Sequence, residues 1–342
     1  MAYLVTGATG FIGRFFIPEL LKRQGDIHVL IRPGIDSEDR FAACARAWGG
    51  ADRVRPVRGD LGLPKLGIDP GWLAEHRGSI KHVVHLAVGY DALERGGGTR
   101  NVVEAAEDLE AELLHHVSTV EVAGKACEGL FTEEMFEVGQ TLPTPILQAK
   151  FEAEKIVRES TLPWRIYRPS LVIGHSETGE MDRIDGPYYF FRLLRMAAQL
   201  PRLLPVIAPK LGETNMVPVD YVARALDHIA HHPGAHSTTY HLVDPRRFRA
   251  AEALNLFADE AGAPHLVEVM PKPTLAMTLR VPGANWLLPR VGVPLEVLEH
   301  SEFSCRFDCR NTTEALAGTD IKVPPLDAYA ARIWKYWIEN WV

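Results

Sequence analysis

Cysteine is scarce in this sequence. The 342 residues include four cysteines, at positions 44, 127, 305 and 309, too few for the disulfide framework of a small secreted protein. Such a low content is typical of a reducing compartment, so we predict a cytoplasmic location. Cys305 and Cys309 would face the same way on a helix, but no histidine pair lies close to them in the sequence. We therefore predict no metal site.

An excess of basic residues and a long apolar run are also missing. Lys and Arg number 37 against 44 Asp and Glu, which gives a formal net charge of −7. This charge does not favour nucleic acid as a partner, and none is expected. The apolar stretch 275–295 contains three prolines and two arginines, which argues against a membrane span. Because the first residues are typical of a strand, we expect no signal peptide.

A glycine turn between a strand and a helix is the most informative feature present. Residues 2–6 are typical of a strand, Gly7, Gly10 and Gly13 follow at three-residue intervals, and apolar residues then recur at helical spacing. This context predicts a dinucleotide site, in which the glycines allow a sharp turn, close approach of a pyrophosphate and close helix packing. The helix N-terminus adds unpaired N–H groups and partial positive charge. The predicted contacts are Gly7, Thr9, Gly10, Phe11, Ile12 and Gly13.

The end of the second predicted strand indicates which dinucleotide is bound. Residues 27–31 end at Arg32. An NAD site commonly has Asp or Glu here for the ribose 2′-hydroxyl, whereas a basic residue accommodates a 2′-phosphate. Arg32 therefore favours NADP(H); a solvated arginine at a strand end is the alternative.

Strands and helices alternate along the first half of the chain. Further strands are predicted at 54–57, 82–87, 113–117 and 164–167. This order predicts an α/β fold with a Rossmann-type, doubly wound parallel sheet, which binds ligands at the carboxyl ends of its strands. We expect the NADP-binding domain in residues 1–174, with returning segments at about 214–245. A smaller, mostly helical substrate-binding region is expected in residues 175–342.

The glycine spacing, Thr-Gly-Ala-Thr-Gly-Phe-Ile-Gly over residues 6–13, resembles the short-chain dehydrogenase/reductase superfamily, and its extended branch in particular. The helix predicted at 143–159 and the Arg-Pro-x-x-Val-x-Gly segment starting at Arg168 support the resemblance. It implies that Thr119 orients a substrate carbonyl and that Lys150 holds the nicotinamide ribose. A surface pair with Glu154 is the alternative for Lys150. The resemblance also implies cofactor contacts at Asp60, Leu61, Leu86, Ala87, Pro169 and Val172.

One position departs from this family. The family places a tyrosine four residues before the lysine as the proton donor, and here that residue is Ile146. Either another group donates the proton, or the chain binds the cofactor without catalysis. Losing one general acid typically costs ~10²–10⁴-fold in rate, so reduction would persist in the first case. The alternative donors are an ordered water, Lys150, Tyr90, Tyr188 and Tyr189.

A second group of segments is similar to bacterial fatty acyl-CoA reductases, and best to the N-terminal reductase module of long two-module members. These segments are 151–158, 178–191, 217–221 and 240–245, and Tyr90-Asp91 also fits. The similarity implies a role in lipid metabolism, with NADPH-dependent reduction of long-chain acyl thioesters or fatty aldehydes. Since the chain ends where the second module would begin, it is expected to perform part of the sequence, with aldehyde to alcohol as one option. The alternatives are a non-catalytic NADP-binding or partner-binding module and a sugar-nucleotide epimerase or dehydratase.

The expected partner is a small-molecule acyl substrate. The last helix, 326–342, places Ile333, Trp334, Trp337, Ile338 and Trp341 on one face. We expect this face to dock on the body of the protein or on a second copy in a homodimer. Peripheral membrane contact is the alternative for this helix and for residues 275–298.

Overall fold

The computed structural model describes residues 2–49, 52–87, 97–124, 129–183, 186–246, 248–270 and 305–342. These residues form two compact units. The first unit contains residues up to 170, 219–243 and 305–322, and the second contains 171–218, the described part of 244–304, and 323–342.

The strands and helices follow the predicted alternation through the first half of the chain. The strands are β1 (Ala2–Thr6), β2 (Asp26–Ile31), β3 (Val54–Arg58), β4 (Ile80–His85), β5 (Leu113–Val117), β6 (Gly129–Phe131), β7 (Trp164–Pro169), β8 (Leu171–Ile173), β9 (Val206–Pro209), β10 (Glu213–Thr214), β11 (Met216–Pro218), β12 (Thr238–Leu242), β13 (Phe248–Arg249), β14 (Leu266–Met270) and β15 (Cys305–Phe307). The helices are α1 (Phe11–Leu21), α2 (Ile35–Trp48), α3 (Pro70–His76), α4 (Gly97–Asp108), α5 (Pro145–Glu159), α6 (Phe191–Ala197), α7 (Val219–His231), α8 (Ala250–Ala261), α9 (Arg310–Ala315) and α10 (Ala330–Trp341).

A seven-stranded parallel sheet organises the first unit. Its order is β12-β7-β5-β4-β1-β2-β3, and each neighbouring pair runs parallel. The strand order reverses next to β1, so the glycine turn lies at the point where such sheets bind ligands. The α/β prediction with a Rossmann-type sheet is confirmed.

Residues 305–322 belong to the first unit, although they were predicted to be part of the C-terminal substrate-binding region. Strand β15 pairs in parallel with β6. The buried carboxylate of Glu133 accepts hydrogen bonds from the backbone N–H of Asn311 (2.6 Å) and the hydroxyl of Thr312 (2.9 Å) at the start of α9. The helix considered for Cys305 and Cys309 is not formed, because Cys305 lies in a strand and Cys309 precedes α9.

The second unit has its own apolar core, to which α6, α8 and α10 contribute. On α10, Ile333, Trp334 and Trp337 are buried, and the Phe191 ring lies 5.1 Å from that of Trp334. The aromatic face of the last helix is therefore largely used within the chain. Among the described residues, no helix combines the length and apolar character needed to cross a bilayer.

Candidate functional site

The glycine turn after β1 fits closely against the end of β4. Gly7 has a φ of +74°, and a Cβ placed on it would lie 2.6 Å from the backbone nitrogen of Ala87. The N–H of Leu86 donates to the carbonyl of Thr6 at 3.1 Å. Both the positive φ and the absence of space therefore require glycine at position 7. Leu86 and Ala87 are half-buried and border the turn; their contact with a cofactor stays a prediction.

The first turn of α1 is left open to a ligand. Gly10 is the N-cap of α1 and offers no side-chain acceptor to the first turn of the helix. The first N–H groups of a helix lack intrahelical partners and attract anions. Gly13 brings this end close to the turn, since a Cβ there would lie 2.3 Å from the carbonyl oxygen of Gly7. Thr9, Phe11 and Ile12 line the same turn and are half-buried.

Arg32 and Asp60, predicted separately as cofactor contacts, lie together in the structure. Arg32 Nε is 3.1 Å from Asp60 Oδ2, and the Arg32 side chain is 56% exposed. Asp60 Oδ1 accepts from the N–H of Gly62 at 2.8 Å. Asn101 Nδ2 donates to the carbonyl of Leu61 at 2.7 Å, which fixes that turn against α4. A basic group is thus held beside the predicted adenosine end.

Thr119 follows β5 and begins a short 3₁₀ turn. Its Oγ1 accepts from the N–H of Glu121 at 3.3 Å and donates to Glu121 Oε2 over 3.4 Å. Glu121 was not among the residues predicted to lie near the catalytic hydroxyl. A Thr followed two residues later by an acid, directly after a strand, is a signal for this cap that could have been noticed.

Lys150 lies on α5 without a hydrogen bond or ion pair to any described residue. The suggested surface pair with Glu154 is wrong, because Glu154 is buried and binds Arg168 and Arg158 instead. The buried His116 lies near Lys150. Burial lowers the pKa of His116 to about 4, and the positive charge of Lys150 also lowers it. An unpaired lysine of this kind is available to a ligand.

Ile146 lies one helical turn before Lys150, and its side chain is 41% exposed. Positions four apart on a helix lie on one face, so an apolar group occupies the position that the resemblance assigns to the proton donor. Tyr3, Tyr167, Tyr221 and Tyr240, the tyrosines described in the first unit, are all buried. Tyr90 lies outside the described residues.

The other suggested donors, Tyr188 and Tyr189, and the predicted contact Val172 belong to the second unit. The hydroxyl of Tyr188 accepts from the N–H of Gly174 at 2.7 Å and is buried, whereas Tyr189 is half-buried. Val172 lies on β8 opposite Val217 of β11. Pro169 ends β7 in the first unit, where it pairs with Leu242.

A buried ion-pair cluster holds α5 on the sheet beneath the site. Arg168 binds Glu154 with both ends of its guanidinium, at 2.6 and 3.1 Å, and Arg158 Nε donates to Glu154 at 2.9 Å. Burial alone would raise the pKa of Glu154, but the charge and hydrogen bonds of Arg168 overcome it and hold the pKa at about 2. This cluster fixes the helix that carries Lys150.

These groups together fit a nicotinamide dinucleotide. The turn at Gly7 leaves no room for a side chain, the first turn of α1 has N–H groups suited to a pyrophosphate, and Arg32 places a cation after β2, where the adenosine end is predicted. Among the described residues, no cluster of His, Cys, Asp and Glu has the arrangement of a metal site.

Comparison with known proteins identifies the family of the chain. The family model described as male sterility protein, an NAD-binding family, matches residues 5–226. The chain belongs to this family. It is an NAD(P)-binding domain of the extended short-chain dehydrogenase/reductase type, so the broader resemblance is confirmed. The narrower resemblance to bacterial fatty acyl-CoA reductases and the preference for NADP(H) stay predictions.

One solved structure shares the fold, and two curated relatives are similar in sequence. The terminal R domain from the myxalamid PKS-NRPS biosynthetic pathway is 27% identical, with a TM-score of 0.81 over 100% of this chain and 91% of that one. A subunit of the linear gramicidin synthase of Brevibacillus parabrevis is 30% identical over 71% of this chain and 5% of its own length. Aldehyde reductase lnbA of Aspergillus flavus is 28% identical over 71% of this chain and 26% of its own length. The chain thus spans only a small part of these two curated relatives.

Proposed function

We propose that this chain is an NADP(H)-dependent reductase that acts on acyl thioesters and aldehydes. The observation that carries the proposal is the fit of Gly7 against Ala87 beside the open first turn of α1, because this geometry suits a dinucleotide and little else. The name of the aldehyde reductase relative and the R domain structure support the reductase class.

Arg32 supports NADP(H) over NAD(H). Its guanidinium is held by Asp60, and its side chain remains more than half exposed. A planar cation that can donate two parallel hydrogen bonds is well suited to a 2′-phosphate. Asp60 keeps the side chain at the strand end, where the adenosine ribose is expected.

The proposed substrate carries a long-chain acyl group. The segments similar to fatty acyl-CoA reductases, 178–191 in particular, support it. The relative named as part of a peptide synthase favours a peptidyl or aminoacyl thioester instead. Both are acyl thioesters, so the reacting carbonyl is the same and the panel of substrates in the test distinguishes them.

The apolar residue at position 146 favours the thioester step over the aldehyde step. A bound reduced nicotinamide supplies a hydride to the carbonyl carbon. The oxyanion formed from a thioester collapses by expelling a thiolate, and free thiols have a pKa of about 8.5. The aldehyde remains, and the thiolate takes its proton from solvent. The oxyanion formed from an aldehyde has no such leaving group and must receive a proton, which Ile146 cannot give.

In this mechanism, residues of the first unit orient the cofactor, stabilise the oxyanion and hold α5 in place. Lys150 orients the ribose of the cofactor with its free ammonium group. The hydroxyl of Thr119 donates a hydrogen bond to the developing oxyanion in place of its long contact with Glu121, which favours the charged species. The buried pair of Arg168 and Glu154 keeps α5 in position.

Ile146 also favours a second candidate, a cofactor-binding module without catalysis. The two are separated by single-turnover measurements with NADPH and three substrates: a long-chain acyl-CoA, an aminoacyl pantetheine thioester and a long-chain aldehyde. Oxidation of NADPH with release of aldehyde from a thioester supports the reductase. Tight NADPH binding without oxidation by any of the three supports the binding module. An epimerase or dehydratase is disfavoured because it depends on the tyrosine absent here.

A further inference from the structure

An apolar surface is exposed on the second unit. Ten of the sixteen large apolar side chains exposed among the described residues belong to this unit, three of them at its C-terminal end. The other seven come from α6, the loop after it, and the strands β9 and β14; Leu203 is 94% exposed. The side chains are Met196, Leu200, Leu203, Leu204, Ile207, Val267 and Val269; we call them, with Arg192 and Arg195, the basic apolar surface.

Strands β9 and β14 provide a flat part of this surface. They pair in parallel, with Ile207 opposite Val267. Ile207, Val267 and Val269 are 58%, 42% and 59% exposed, whereas Ala208 between them in register is buried. Because side chains alternate along a strand, one face of this pair is apolar and open to solvent.

The charge around these side chains has one sign. Residues 186–210 contain four basic residues and no Asp or Glu, in a chain whose net charge is −7. Arg192 and Arg195 lie on the exposed side of α6 with Met196, one turn apart. Neither arginine makes an ion pair with a described residue.

Two carboxylates of the second unit have partners of their own. Glu268 of β14 is 7% exposed and pairs with Arg249 at 2.9 Å, and Asp259 lies 2.8 Å from His265. A cluster of exposed apolar side chains flanked by unpaired cations requires a partner that is apolar inside and negative at its surface.

We propose that the basic apolar surface docks on an anionic lipid bilayer, with the apolar side chains entering the headgroup region and the arginines binding lipid phosphates. Each Lys or Arg near such a surface adds attraction that salt weakens. An acidic protein would satisfy the arginines, but it would not match so many aliphatic side chains as well as a bilayer does. The proposal is independent of the reductase function and of cofactor binding.

Vesicle co-sedimentation tests this docking. The probes are vesicles of phosphatidylcholine alone and of equal parts phosphatidylcholine and phosphatidylglycerol. We expect the protein to sediment with the anionic vesicles only, and to be released by added salt. Two double variants, Leu203→Ser with Leu204→Ser and Arg192→Ser with Arg195→Ser, should each lower the partition coefficient about tenfold or more.

Ile35→Ser is the matched control, because Ile35 is 78% exposed on the first unit beside Asp36 and Glu38. It should leave vesicle binding unchanged. Circular dichroism and the urea midpoint verify that each variant is folded. Absence of binding to anionic vesicles, or equal binding by all variants, would overturn the proposal. The proposal would also be overturned if a small acidic protein bound the wild-type protein and bound both double variants more weakly, while anionic vesicles did not bind.

Discussion

Arg32 Nε and Asp60 Oδ2 lie 3.1 Å apart across the ends of β2 and β3. The pair holds a cation where the 2′-phosphate of NADP(H) is expected, so Arg32→Ser should weaken NADPH binding and leave NADH binding nearly unchanged. A hydrogen bond to a charged group is worth about 1.5–3 kcal/mol, which corresponds to roughly a 10–100-fold rise in Kd. Fluorescence titration measures it. Arg58→Ser, at the end of β3 and paired with Glu38, is the control; equal weakening in both variants would contradict the assignment.

The proton donor is tested by Ile146→Tyr. A tyrosine one turn before Lys150 would supply the hydroxyl that the chain lacks, and we expect aldehyde reduction to rise by up to ~10²–10⁴-fold. Thioester reduction should rise less, because its oxyanion expels a thiolate. Ile146→Phe introduces the ring without the hydroxyl. If the Tyr and Phe variants reduce aldehyde at the same rate, the missing hydroxyl is not what limits the reaction.

The contact between Gly7 and Ala87 predicts a large loss of stability in Gly7→Ala. Left-handed backbone costs about 1–2 kcal/mol for a residue with a Cβ, and forcing Ala87 away costs about 1–3 kcal/mol more. Gly49→Ala is a matched control, since Gly49 has a φ of +68° and a Cβ there would meet nothing within 4 Å. Urea denaturation should show the backbone cost alone at Gly49. Similar losses at the two positions would argue against the close contact.

The buried pair of Glu154 and Arg168 predicts a strong effect of Glu154→Gln. Removing one partner leaves the other charge buried and unpaired, which typically costs 3–5 kcal/mol. The control is Glu137→Gln, which removes an exposed pair with Lys155 and should cost about 0–1 kcal/mol. Both free energies of unfolding come from urea titration at neutral pH. A loss below about 1 kcal/mol at Glu154 would contradict the structural role of this cluster.

Buried histidines predict loss of stability in mild acid. Burial lowers the pKa of His28, His82 and His116 to about 4 and that of His241 to about 3, against about 6.5 in an unfolded chain. Between these values the unfolded chain binds protons that the folded chain does not. The free energy of unfolding is therefore highest above pH 6.5 and should fall as the pH decreases towards 4, by up to about 1.4 kcal/mol per unit for each histidine.

His116→Leu tests this dependence at one site. Neither ring nitrogen of His116 has a hydrogen-bond partner among the described residues, so leucine removes a titrating group without breaking a hydrogen bond. The slope of stability against pH between 6.5 and 4 should become shallower. The exposed His236→Gln should leave the slope unchanged. An identical slope in wild type and His116→Leu would show that His116 takes up its proton in the folded state.

Periodicity and glycine spacing predicted the sheet of the first unit because both are local. Strands β1 and β5 were predicted with their observed bounds, and β2, β3, β4 and β7 within about two residues at each end. The parallel direction of the strands followed from the alternation of strands and helices. Residues 305–307 were not recognised as a strand, since three residues carry too little pattern to indicate one.

Contacts between distant segments were the part that could not be predicted. Spacing suggested Lys150 as the partner of Glu154, but β7 brings Arg168 to that carboxylate and leaves Lys150 unpaired. The reason why Gly7 must be glycine lies in Ala87, eighty residues later, which reaches it only because β1 pairs with β4. Such partners are set by strand pairing and not by local sequence.

The proposed reductase activity is tested by titrating the purified chain with NADPH and with NADH and then adding a long-chain acyl thioester to the same cuvette. We predict that NADPH binds more tightly than NADH, and that the added thioester oxidises NADPH with release of one aldehyde per NADPH. If neither dinucleotide binds, the assignment of the glycine turn and the proposed reductase function are both contradicted.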